Sequence, residues 1–112
     1  MAHERFSIAQ VTPYPWEQGH DVNRYVERVS AELRDRGHRV VIVAPSDSRK
    51  LIRDGRARVK RVVGGDQEAL FDGDVLAVGQ SLPFGRGRAV SLPIDVSRTL
   101  EDLLEHAELD FV

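Results

Sequence analysis

The sequence predicts an α/β domain with a parallel sheet, on three observations. Residues 6–11 (FSIAQV) form a short apolar run rich in strand formers. An amphipathic helical pattern follows from Asp21, and residues 39–44 (RVVIVA) then form a continuous β-branched run. A strand without polar alternation is one buried on both faces, as in a parallel sheet. Strand, helix and strand within about 40 residues make one βαβ unit. At 112 residues the chain suffices for a single domain, 1–112.

Between the first strand and the helix, residues 12–20 (TPYPWEQGH) read as a loop, because two prolines and a glycine interrupt any regular pattern. In the helix, Val22, Tyr25, Val26, Val29 and Leu33 fall at i, i+3, i+4, i+7 and i+11 and draw one apolar stripe. Asp21 is placed to cap its start with a carboxylate, and Gly37 to end it in a left-handed conformation.

The middle of the chain carries less pattern. Residues 49–61 hold seven basic side chains (Arg49, Lys50, Arg53, Arg56, Arg58, Lys60 and Arg61) against one acid, Asp54, and Gly64-Gly65-Asp66 closes that stretch. Residues 75–78 and 88–92 are short strand candidates, joined by a turn at 83–87. A last helix is expected with Asp95 or Ser97 as its cap. Its apolar stripe is Val96, Leu100, Leu103, Leu104 and Ala107, and Glu101, Asp102, Glu105, Glu108 and Asp110 line the other face and the exit. Leu109-Asp110-Phe111-Val112 reads as the opening of another buried strand, so the sheet is expected to be incomplete at the C-terminus and the chain a fragment.

Composition excludes several functions. A net charge of −2 argues against a dedicated nucleic-acid binder, whose footprint would be basic overall. No apolar run approaches the ~20 residues that cross a bilayer. The start, Met1 to Arg5, lacks the apolar stretch of a signal peptide, and the absence of cysteine removes disulfides and thiolate chemistry. A cytoplasmic location is expected.

The first βα loop is the segment richest in chemistry. Ligands of doubly wound sheets sit outside the carboxyl ends of the strands, where helix N-termini point. His20 and Asp21 stand at that mouth, with Tyr14 and Trp16 upstream. A simple cap at Asp21 and a packing role for Trp16 account for the same residues. His38, after Gly37, is expected to satisfy terminal helix carbonyls. No histidine spacing suits a metal, so none is expected. The basic stretch Arg49–Arg61 reads either as a solvated face or as a peripheral contact with an anionic membrane surface or a phosphorylated substrate. Gly85-Arg86-Gly87 is a lone G-x-G with no helix behind it, and no carboxylate pair stands out for acid–base work.

Several of these segments together resemble the N-terminal domain of retaining GT-B glycosyltransferases, in the large group that includes phosphatidyl-inositol mannosyltransferases. They are Ile8-Ala9-Gln10-Val11-Thr12-Pro13-Tyr14, the helix exit Leu33-Arg34-Asp35-Arg36-Gly37-His38-Arg39-Val40, and the strand ending Val41-Ile42-Val43-Ala44-Pro45-Ser46. The likeness covers residues 6–46 well and 95–112 fairly, and the middle only in layout. It implies a Rossmann-like three-layer domain on the acceptor side of a two-domain enzyme. That enzyme would move a sugar from a nucleotide-sugar donor to a lipid- or polyol-linked acceptor, with retention. Tyr14 and Trp16 would then touch the acceptor. Gly19, His20 and Asp21 would form the donor-phosphate loop, with His20 and Asp21 where the family carries a glycine pair. A carboxylate there repels a phosphate that glycine would admit. The resemblance implies no catalytic residue within these 112, since the family's His-containing motif would follow Val112, and no cofactor beyond the nucleotide-sugar co-substrate. Two other readings remain: another nucleotide-sugar enzyme such as an epimerase, and a non-catalytic module that self-associates through an open sheet edge.

Overall fold

The computed structural model describes the backbone of residues 5–80 and 94–112. Its elements are β1 (Ser7–Val11), α1 (Asp21–Asp35), β2 (Arg39–Ser46), α2 (Arg49–Val63), β3 (Val75–Gln80) and α3 (Ile94–His106), with single 3-10 turns at Trp16–Gln18 and Gln67–Phe71. The strands form a parallel sheet in the order β1-β2-β3, so the domain is α/β. Val41 and Val43 of β2 are fully buried, as expected of a central parallel strand.

Side chains alternate across the sheet. On one face Ala9, Val41, Val43, Leu76 and Val78 cluster with Val59 and Val62 of α2 and Leu103 of α3. Alternation leaves Ile8, Val40 and Ile42 for the opposite face, and α1 packs on β2 outside that cluster. At the end of α1, Gly37 takes φ 94°. Gly37 N then bonds Arg34 O and His38 N bonds Leu33 O, which satisfies the orphan carbonyls in a Schellman arrangement. The His38 ring does something else: its Nδ1 accepts from Phe6 N at 3.1 Å and it stacks on the Phe6 ring, fixing the start of β1.

Helix α2 replaces the patternless basic stretch. Ile52, Gly55, Val59 and Val62 are its buried residues, at i, i+3, i+7 and i+10. It lies against the outer edge of β3. Ile42 N bonds Asp74 O, so alternation turns the Val75 and Ala77 carbonyls away from β2. Arg58 donates to the Val75 carbonyl at 2.9 Å, and Gly55 sits so close to the Ala77 carbonyl that a Cβ would stand 2.0 Å from its oxygen. Helix α2 thus covers the Val75 and Ala77 carbonyls on the side of β3 away from β2.

The other side of the sheet differs. Ala9 N bonds Phe111 O and Phe111 N bonds Ser7 O, making a parallel bridge on the edge of β1 away from β2. Asp110 reinforces it, accepting from Ser7 N at 2.8 Å. Phe111 and Val112 are exposed there, 54 % and 68 %, so the expected buried strand is here a single exposed bridge.

Three expectations about helix faces are corrected. Val26 is buried as expected, but Val22 and Tyr25 are exposed and Asn23 and Ser30 are buried beside Val26, because the helix lands on β2 rotated toward the loop carbonyls that Asn23 serves. In α3, Leu103 is buried but Leu104 is 48 % exposed. Helix α3 starts at Ile94, which puts Asp95 and Ser97 inside it rather than at a cap. The turn at 83–87 and the strand at 88–92 lie outside the described residues.

Candidate functional site

The first βα loop leaves the carboxyl end of β1 and is held from below by two buried side chains. Thr12 Oγ1 donates to Asn23 Oδ1 at 2.6 Å, and Asn23 Nδ2 donates to the Tyr14 and Pro15 carbonyls at 3.1 Å each. Tyr14 N closes back onto Thr12 Oγ1 at 3.3 Å. The two prolines remove their own amide donors, so the loop carbonyls need a side-chain partner, and Asn23 is that partner.

Above this anchor the Tyr14 and His20 rings stack, with centroids 3.7 Å apart and planes 7° from parallel. His20 is the N-cap of α1, since its Nδ1 accepts from Val22 N at 3.1 Å. That corrects the assignment of the cap to Asp21, which is the first helical residue, with an exposed carboxylate 3.8 Å from Arg24. Nδ1 of the imidazole hangs from Cγ as a carboxylate oxygen of Asp does, so His20 accepts from the amide two residues on in the way a short polar N-cap would. Gly19 takes φ 62°, the left-handed conformation that ends the 3-10 turn and aims His20 back over Tyr14.

Glu17 ties this loop to the next. Its carboxylate accepts from Ser46 Oγ at 2.6 Å and from Asp47 N at 2.8 Å, while Ser48 N bonds Ser46 Oγ at 3.0 Å. The carboxyl ends of β1 and β2 are thus cross-linked by one side chain.

Beside the stack, Trp16, Gly19, Asn23, Arg24 and Glu27 line an open hollow of about 140 Å³. This falls below the ~300–1,000 Å³ of sites that engulf a drug-sized ligand, so the hollow admits one ring-sized group. It combines an aromatic face, a guanidinium and a carboxylate. Of the expected site residues, Trp16 and Gly19 reach the hollow. Tyr14 and His20 form the adjoining stack, and Asp21 points to solvent. Asn23, Arg24 and Glu27 are additions: their i, i+1 and i+4 positions on the first turns of α1 would place them near the loop, but the charges of Arg24 and Glu27 read as an ordinary solvated face.

Within the basic stretch, Arg58 and Arg61 are committed inside the domain. Arg58 donates to the carbonyls of Ala69, Leu70, Gly73 and Val75, and burial lowers its pKa. Arg61 pairs with Asp66 and Asp72, and its hydrogen bond to Asp66 leads in raising its pKa. Among the described residues no group of three or more histidines or carboxylates is arranged to hold a metal, and no helix is long and apolar enough to cross a membrane. Comparison with known protein families, curated proteins and solved structures finds no match to this chain.

Proposed function

We propose that the chain is the acceptor-side domain of a retaining glycosyltransferase, and that the hollow beside Trp16 receives a hexose or polyol ring of the acceptor. The hollow itself carries the proposal. An aromatic face suits the C–H face of a sugar ring, while Arg24 and Glu27 offer a donor and an acceptor to its hydroxyls. Its position supports the same reading. The single parallel bridge at Phe111 lies on the opposite side of β1 from β2, which is where a Rossmann-like sheet would carry its next strand. The loop above β1 is then at a switch point, where such sheets bind their ligands. The nucleotide-sugar donor is too large for the hollow and meets only the Gly19-His20-Asp21 turn, with the Asp21 carboxylate opposing its phosphates.

The test is a titration of the isotope-labelled chain followed by amide NMR shifts and Trp16 fluorescence. Methyl hexosides and inositol are expected to bind with a Kd near ~1 mM, with shifts confined to residues 12–27 and lost in Trp16→Ala. A nucleotide sugar is expected to move only the amides of Gly19, His20 and Asp21. Saturating sugar that moves no amide in this loop would overturn the reading.

A further inference from the structure

Two neighbouring helices carry opposite charge. Helix α2 holds seven cations against the single acid Asp54, and α3 holds four carboxylates against Arg98. Arg58 and Arg61 are already taken up within the domain. Arg49, Arg53 and Lys60 recur at i, i+4 and i+11, which sets them along one flank of α2, and all three are exposed. On α3, Glu101 and Glu105 stand one turn apart with Asp102 between them, also exposed.

The two helices pack against each other. Yet among the described residues none of Arg49, Arg53 and Lys60 forms an ion pair with Glu101, Asp102 or Glu105. Neither row of charge is neutralised by the other among these residues. Among the described residues Val63 of α2, after buried Val62, and Leu104 of α3, after buried Leu103, are exposed apolar side chains.

We propose that this face is a self-association surface, on which a second copy of the chain lays its acidic α3 on α2 and its basic α2 on α3. A two-fold axis along the seam between the helices brings plus onto minus twice, which is the self-complementarity that a closed dimer needs. Val63 and Leu104 supply apolar contacts within a charged rim. A flat anionic surface fits less well, because it would meet the carboxylates of α3 together with the cations of α2. A partner of both signs in the same spacing satisfies both helices, and the chain itself is one. The net charge of −2 leaves little overall repulsion between copies. The inference is independent of the sugar-binding reading of the first loop.

The experiment measures the mass of the 112-residue chain by light scattering and sedimentation over a concentration series. Dimer is expected at ~20 mM salt, with the apparent Kd rising at least ~10-fold at ~500 mM. Arg53→Glu with Lys60→Glu, and separately Glu101→Lys with Glu105→Lys, each set like charges face to face, so each variant alone is expected to be monomeric. Mixed together, the two variants are expected to form a heterodimer, and a chain carrying all four changes to dimerise with itself. Circular dichroism establishes that each variant is folded, and the wild-type salt series stands if one is not. A wild-type chain that stays monomeric at low salt overturns the proposal, as does a mixture that fails to associate. So does a chain that remains monomeric while binding phosphatidylserine vesicles through Arg53 and Lys60.

Discussion

Thr12 Oγ1 lies 2.6 Å from Asn23 Oδ1, joining the last residue before the loop to the first turn of α1, and both side chains are buried. With Asn23 Nδ2 donating to two loop carbonyls, every hydrogen-bonding direction of that amide except one lone pair is used. The shape of the loop above β1, and so the hollow beside Trp16, rests on this one side chain.

Replacing Asn23 with Ala leaves a buried hydroxyl and the Tyr14 carbonyl short of partners, while the Pro15 carbonyl keeps only the Gln18 amide. A loss of about 2–3 kcal/mol is expected in urea unfolding. Asn23→Asp should cost at least as much, because it sets a carboxylate against the Tyr14 and Pro15 carbonyls. Ser30 is the contrasting case on the same helix. Its Oγ is buried without a partner among the described residues, so Ser30→Ala is expected to be neutral or stabilising in the same measurement.

Gly55 shows where a glycine inside a helix is required. The added methyl of Gly55→Ala would meet backbone, the Ala77 carbonyl at 2.0 Å, which cannot turn aside as a flexible side chain could. A loss of about 3 kcal/mol or more, or failure to accumulate folded protein, is expected by thermal melting. Gly64→Ala meets its nearest oxygen at an ordinary 3.4 Å and has φ −75°, so it should change stability by less than about 1 kcal/mol.

Arg58 and Arg53 separate the two uses of positive charge in α2. Arg58 spreads its donors over four carbonyls, Ala69 and Leu70 in the 3-10 turn, Gly73 after it and Val75 of β3, a geometry that the single ammonium of lysine cannot reproduce. Arg58→Lys is expected to cost about 2–4 kcal/mol in urea unfolding, whereas Arg53→Ala should stay within about 0.5 kcal/mol.

His20 joins a cap to a stack. His20→Ala removes both and is expected to cost about 1 kcal/mol, while His20→Ser restores the cap alone and recovers most of that. If the stack shapes the site, Trp16 fluorescence on sugar addition weakens equally in both variants. Recovery of the sugar response in His20→Ser would assign the effect to the helix start instead.

The local signals in the sequence were sufficient for β1, α1, β2, β3 and the existence of α3, each within a few residues of its observed limits. Runs of β-branched residues and a glycine after a periodic segment act through the chain next to them, so they can be read without knowing the fold. Helix α2 was harder because Gly55 and seven cations mask the spacing of Ile52, Val59 and Val62.

What the sequence by itself determined is the succession of β1, α1, β2, β3 and α3 along the chain, without α2, and the parallel, buried character of β2. Only the tertiary structure decided which face of each helix is used. Asn23 rather than Val22 turns inward because the proline-rich loop presents carbonyls that need a donor. Gly55 and Arg58 serve a sheet edge whose carbonyls exist only once β3 has paired with β2. Trp16, Arg24 and Glu27 border one hollow because the Gly19 turn folds the loop back over α1. Periodicity encodes which residues are apolar, but the demands of buried polar groups are set by what lies across from them in space.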